Sequence, residues 1–411
     1  MKKTVLRALC AVICLMLIIP TFSSCGSQNA YELGPYSITE KEYCYLLGMF
    51  KKQLLVSLGY TEEQIGYEVS EGVTLGEYLE RTYKAEFEQS VFTLLFSQAL
   101  FDEYGLSLTE EQENNLNASA SGIIYYYGNL SESRFNEISA PYGFDADTLR
   151  SIYFKQAKES AVIRHLYGDN YSNLSDALKE SFYKESYLHF QVLIVNTLYK
   201  KYVDSEGNTT YLNLSESERE YALLLEKELK ELLVNENKDY NYIILKDKLH
   251  LSYEELWELY SDDTVYPQGY YMRIPSASQM QSSSTLSAAF LLKEGDCGSV
   301  TAKRYFTGSG SIKTEDGKEE IKEGDFFEYG TAIVKKLSLD DGAYAREENK
   351  DFFPESTFLQ NATQASYFKH LQEYESTTFY TLMYNKDLQG KHTLESVLAN
   401  EIDYEYLYGS N

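Results

Sequence analysis

The chain is poor in cysteine and in positive charge. Of its five cysteines, Cys10, Cys14 and Cys25 precede the body of the chain, which keeps only Cys44 and Cys297. Two thiols in separate predicted domains support no disulfide framework. Lysine and arginine number 37 against 63 aspartates and glutamates, a formal charge of −26. Such a field repels nucleic-acid phosphates and anionic lipid head groups alike, and argues against either as a partner surface. Histidine is scarce too. His165, His189, His250, His370 and His392 fall in no H-x-x-H or H-E-x-x-H grouping, so no zinc site is indicated. There is no G-x-S-x-G elbow, no phosphate-cradling glycine loop and no internal repeat. GSGS at 308–311 reads as a turn, and the single tryptophan, Trp257, reads as core.

What remains is a chain built for packed cores. Its 411 residues suit two or three domains, and 43% hydrophobic against 24% charged residues excludes global disorder. Tyrosine is abundant, at 39 residues. The simpler reading places these rings at core boundaries; the other is a tyrosine-rich surface that holds extended peptides.

The N-terminus is more specific. Lys2, Lys3 and Arg7 precede an apolar run from Ala8 to Ile19. That run falls short of the roughly 20 residues needed to span a bilayer, so it reads as an export signal. Ser23-Ser24-Cys25 resembles a bacterial lipobox, with Phe22 where the pattern prefers leucine. The resemblance implies cleavage before Cys25 and a diacylglyceryl group (palmitate-like chains) on its thiol. Two acyl chains anchor durably where one does not.

Thr39-x-x-Glu42, Thr74-x-x-Glu77 and Thr109-x-x-Gln112 are capping-box signals that each open an apolar-periodic helix. Further helical patterns lie near Ser131 to Ile138, Asp145 to Tyr167 and Ser175 to Tyr187, so the N-terminal half reads as all helix. The signal changes at LHFQVLIVN, 188–196, which reads as a strand. A turn-rich insert, a helix from Ser215 and a helix through Leu256 to Tyr260 follow. Beyond the loop SDDTVYPQG come a short strand YYMRI, a helix from Leu286 to Leu292, an exposed tip at KTEDGKEE and a second clear strand at Thr331 to Leu339. From Tyr344 the chain returns to helices and ends in an acidic, tyrosine-rich tail.

The middle pieces, in order, resemble a parvulin-type peptidyl-prolyl isomerase domain. They are YLHFQVLIVN, Tyr260-Ser261-Asp262-Asp263, Gly269-Tyr270-Tyr271, LSAAFLLKEGDCGSV and EYGTAIVKKLSL. With its flanks, the chain resembles PrsA-type foldase lipoproteins and, more distantly, SurA-type chaperones. The implied fold is α+β: a helical chaperone-like lobe, an inserted parvulin-like domain, and C-terminal helices returning to the lobe. The implied boundaries are 1–24 for the signal peptide, 25–186 for the helical domain, 187–340 for the parvulin-like domain and 341–411 for the C-terminal segment.

The resemblance puts Asp263 at the position of the family's active-site Asp or Cys, and Tyr271, Met280 and Phe290 in the apolar clamp. A metal loop at Asp262-Asp263 is disfavoured because no carboxylates fall at EF-hand spacing around it, though a plain solvated turn stays open. Both family histidines are replaced. Ala332 stands at one, and the best register puts Val192 at the other, with His189 on the opposite face of that strand. Twisting a prolyl amide against a barrier of about 18–20 kcal/mol requires polar groups matched to the twisted state. The expectation is therefore an inactive or weakly active isomerase domain, without cofactor or metal, in a lipid-anchored extracytoplasmic protein on a Gram-positive-type membrane. Its partners would be unfolded exported polypeptides. An active isomerase and a surface lipoprotein for ligand binding are the alternatives.

Overall fold

The computed structural model describes residues 28–70, 72–203, 205, 209–235, 240–262, 269–275, 283–305, 311–313, 320–322 and 325–402. Cys25, Asp263 and Met280, the tip at 314–319 and the tail from 403 lie outside the described residues.

In chain order, β1 (Asn29–Leu33) and β2 (Tyr36–Thr39) lead into α1 (Glu40–Leu58). The short pair β3 (Glu68–Ser70) and β4 (Val73–Thr74) precedes α2 (Leu75–Glu103), α3 (Glu110–Tyr127), α4 (Glu132–Ser139), α5 (Ala146–Tyr167) and α6 (Asp176–Ser186). Then come β5 (Tyr187–Val195), the hairpin β6 (Tyr199–Val203) and β7 (Thr209–Asn213), α7 (Glu216–Asn235), α8 (Tyr253–Tyr260), β8 (Tyr270–Arg273) and α9 (Ser284–Leu291). After β9 (Cys297–Tyr305), the pair β10 (Ser311–Lys313) and β11 (Glu320–Lys322) leads to β12 (Phe326–Leu337). The chain closes with α10 (Glu355–Thr377), β13 (Leu382–Tyr384) and α11 (Lys386–Lys391). It is an α+β fold, mostly helical, with a four-stranded antiparallel sheet inserted in mid-chain. The backbone divides into two compact units, residues 28–174 with 363–402, and Ser175–Ala362.

In the first unit, helix starts are fixed locally. Thr39 accepts from the Glu42 amide while the Glu42 carboxylate accepts from the Thr39 amide at 2.8 Å, and Thr109 and Gln112 repeat the arrangement. Thr74 caps α2 with its hydroxyl, but there the reciprocal contact is missing and Glu77 pairs with Arg81. The C-terminal segment packs back on the N-terminal helices through a buried cation. Lys51, fully buried, donates to the Val397 carbonyl at 2.7 Å and pairs with Glu62 at 2.6 Å. A buried ammonium is tolerated only where its protons are matched in this way.

Contrary to the helical pattern of its sequence, the N-terminal half is not all helix. β1 and β2 form a hairpin, and β13, from the far end of the chain, pairs with β1 to give the order β13-β1-β2. The hairpin turn is Gly34-Pro35, with Gly34 at φ +59°. The Tyr380 ring occupies the space a Cβ at Gly34 would need, so glycine is required there on both grounds. Strands of four and five residues leave too short an alternation to stand out beside long helical patterns.

The second unit centres on the sheet β8-β5-β12-β9, antiparallel throughout. β12 carries a bulge between Glu328 and Gly330, where Gly330 lies against the Val195 carbonyl with no room for a side chain. One sheet face buries Phe190, Val192, Ala332 and Val334 under α9. The other buries Leu193, Val195 and Ile333 under α7 and α8. On α7, the fully buried Glu228 carboxylate accepts the backbone amides of Ile243, Ile244 and Leu245 at 2.6–2.9 Å. That contact pins a segment without regular structure onto the helix. The unit reaches beyond 187–340 because α6 and residues 343–358 share one aromatic cluster. Within it Tyr187 and Phe353 lie 5.0 Å apart, and Tyr344 stacks on Phe358 at 4.7 Å.

Candidate functional site

The expected isomerase positions fall on a sheet face that is already filled. Across β5 and β12 the register pairs Val192 with Val334 and Ile194 with Ala332. Val192 and Ala332 are thus diagonal neighbours on one face, 2% and 0% exposed. Both belong to a continuous apolar core with Phe190, Ala289, Ala302 and Phe327. Neither position carries a polar side chain, and among the described residues the buried polar groups that share this core are the phenols of Tyr199 and Tyr329.

The two described clamp residues do not meet. Phe290 sits on α9, whose inward residue is Ala289, and Phe290 itself is 37% exposed. Tyr271 lies on the opposite sheet face, paired with His189 and ringed by Phe352 and Phe353 at 5.6 and 5.4 Å. Its neighbours Tyr270 and Met272 are the β8 residues that pack toward α9. His189 stacks on Tyr271 and approaches the Ser338 carbonyl with Nδ1 at 3.1 Å. Burial holds this imidazole below its ordinary pKa and therefore neutral. It serves as packing, away from Val192 and Ala332.

Around the aspartate pair, Ser261 ends α8 and its hydroxyl accepts from the Ile194 amide at 3.0 Å. The Asp262 amide donates to the Ile194 carbonyl at 2.8 Å. The described start of SDDTVYPQG is thus a cap tied to β5. Beside it, Asn196, Glu218, Tyr221 and Asp262 line a cleft of about 630 Å³. Its lysine is already paired, Lys200 to Glu218 at 2.7 Å.

The helical unit holds a more versatile cleft, of about 610 Å³, between α1, α3 and α5. Sequence reasoning did not single it out. On α5 the residues Tyr153, Ala157, Ser160, Ala161 and Arg164 fall on one helical face, and on α3 so do Gln112, Asn115, Leu116 and Ser119. Met49, Leu116 and Ala161 give an apolar, deformable floor. Asn115 and Gln156 add amides that both donate and accept, matching the main chain of an extended peptide, while the oxygen of Gln112 already caps the Thr109 amide and leaves its NH2 to donate. The one full charge, Arg164, is paired with Asp169 at 3.2 Å. Signals for this cleft were present as polar stripes on amphipathic helices, but such stripes read equally well as solvated faces.

Cys44 and Cys297 are free thiols, both pushed up to about 11 by burial and so unreactive at neutral pH. Among the described residues, no three His, Cys, Asp or Glu side chains are placed to hold a metal ion. Among them, too, no helix is long and apolar enough to cross a membrane.

No protein-family model and no curated protein matches the chain. Among solved structures, it is similar to the foldase protein PrsA from Streptococcus pneumoniae, with 13% identity over 80% of this chain and 99% of that one, at a TM-score of 0.20. It is also similar to the foldase protein PrsA from Lactococcus lactis, with 11% identity over 86% of this chain and 94% of that one, again at 0.20.

Proposed function

We propose that the chain is an extracytoplasmic folding factor that holds unfolded exported polypeptides, tethered to the membrane by a lipid on Cys25. The observation that carries this reading is the cleft of about 610 Å³ between α1, α3 and α5, with its apolar floor and amide rim. Amides satisfy the backbone of any extended chain, and a deformable floor accepts varied side chains. Together they favour weak, sequence-tolerant binding over recognition of one defined ligand. The −26 charge keeps a loaded complex soluble and favours basic clients.

In the same reading, the unit built on β5 and β12 descends from a prolyl isomerase and no longer catalyses. Val192 and Ala332, at the family's histidine positions, are buried in apolar core, which supports that loss. Asp263 would then be a remnant of the active-site loop.

The test is a pair of assays on the unlipidated chain. One follows aggregation of a chemically unfolded client by light scattering; the other follows isomerisation of a short X-Pro peptide, with Asp263→Ala as control. The proposal expects suppressed aggregation near equimolar ratios and no acceleration of isomerisation. Acceleration that disappears in Asp263→Ala would overturn the inactive assignment. Failure to suppress aggregation would overturn the holding function.

A further inference from the structure

A second groove lies in the helical unit, separate from the three-helix cleft. Its volume is about 460 Å³, and its floor is the face of β1 and β13 that carries Tyr31, Leu382 and Tyr384. One wall is α2 through Glu88 and Phe92, and the other is α10 through Phe368 and Glu375. The wall residues recur at helical spacing, so each helix turns one continuous face to the groove.

Three observations at this groove are unaccounted for by the fold. The first is the outer edge of β13, which pairs with no further strand among the described residues. In the sheet β13-β1-β2 this strand is terminal. The Asn385 amide donates to the Ala30 carbonyl at 2.9 Å. Antiparallel alternation then turns the amides of Leu382 and Tyr384 outward, away from β1. Sheet edges are normally blunted by charge, proline or a covering element. Here the segment Phe379 to Tyr384 contains neither charge nor proline.

The second observation is exposed apolar surface. Phe379 is fully exposed, and Met383 and Tyr384 are each 55% exposed. They fall within the six residues that carry this edge, with Met383 and Tyr384 on opposite faces of the strand. The third is charge. Glu88 and Glu375 both line the groove, and among the described residues neither has a cationic partner. The Tyr31 phenol on the floor is pushed up first by burial and then by the nearby Glu88 and Glu80 charges, although Glu80 itself pairs with Lys84.

We propose that β13 is a docking edge for an extended basic segment of another polypeptide, which adds to the sheet as a further strand and lays lysine or arginine side chains over Glu88 and Glu375. Main-chain hydrogen bonds to the outward amides supply affinity of the β-augmentation kind. Alternate side chains point into the groove, where the two carboxylates select cations over anions. The inference is independent of the three-helix cleft, and separate variants report on the two sites.

The experiment uses the chain from Gly26 to Asn411 and two fluorescein-labelled heptapeptides, VKVKVKV and VEVEVEV, read by anisotropy. The basic peptide is expected to bind, more weakly as salt rises, and the acidic one not to bind. Glu88→Gln with Glu375→Gln, a surface change that leaves the fold intact, is expected to weaken binding by about fivefold or more. Tyr384→Pro removes an outward amide without touching the bonds to β1 and is expected to abolish binding. Ala157→Trp, which fills the three-helix cleft, is expected to leave heptapeptide binding unchanged. Equal affinity for both peptides, or full affinity in the double glutamine variant, overturns the proposal. So does self-association that competes with the peptide and is lost in Tyr384→Pro, since the occupant would then be a second copy of this chain.

Discussion

His189 and Tyr271 stack ring on ring across β5 and β8, with centroids 4.0 Å apart and planes 12° from parallel. The contact fixes the role of the one histidine close in sequence to the expected isomerase position. It spends its ring on packing and lies on the face away from Val192 and Ala332. Because burial lowers its pKa, folding favours the neutral form. Stability from this group is fully present above the unfolded histidine value and is lost as pH falls from there through the lower folded value. A histidine titration by NMR should show His189 protonating below the ordinary value of about 6.5. His189→Ala should cost about 1–2 kcal/mol in a denaturant melt while leaving client holding unchanged.

Ala332 offers the converse test. It is fully buried, between β5 and β9 in the centre of the sheet. Returning a histidine there, Ala332→His, forces a larger polar ring into filled core. Urea unfolding should report a loss of about 2–4 kcal/mol. Isomerisation of an X-Pro peptide should remain at the uncatalysed rate, because Val192 stays apolar. Appearance of catalysis in this variant would mean that the site is one substitution from working.

Glu159 gives a prediction with a defined sign. It lies on α5 near the buried pair of Tyr367 and Ser97, whose hydroxyls are 2.6 Å apart. Burial raises its carboxyl from 4.5 to about 7. Between those values the folded chain keeps a proton that the unfolded chain releases, so stability falls as pH rises through this window. Below the unfolded value the group costs nothing. Glu159→Gln should therefore stabilise the protein at pH 8 by roughly 2–3 kcal/mol and have little effect at pH 4. Thermal melts at the two pH values decide it, and an equal effect at both would contradict the account.

What the sequence disclosed, and what it withheld, follows from the range of each interaction. Thr39 with Glu42 and Thr109 with Gln112 were legible because a capping box is a contact three residues long. The strand 188–196 was legible because central strands are buried on both faces and read as apolar runs. The pairing of Tyr31 with Tyr384 was not legible, since three-residue β13 has no pattern of its own and its partner is at the other end of the chain. Nor was the separation of Tyr271 from Phe290. Which face a β8 residue takes depends on its register with β5, and a one-residue difference moves it across the sheet. The family resemblance grouped the two as one clamp; the register of Tyr271 with His189 puts them on opposite sheet faces.

The central claim is that the cleft between α1, α3 and α5 receives unfolded chains. The most direct measurement is the affinity of a fluorescently labelled, permanently unfolded client for the unlipidated chain and for its Ala157→Trp variant. The indole would fill the space between Ala157 and the floor residues Met49 and Leu116. The account predicts at least about tenfold weaker binding by the variant, a loss of about 1.4 kcal/mol, with unchanged melting behaviour. Equal affinity in the two proteins would contradict it and remove the cleft as the client site.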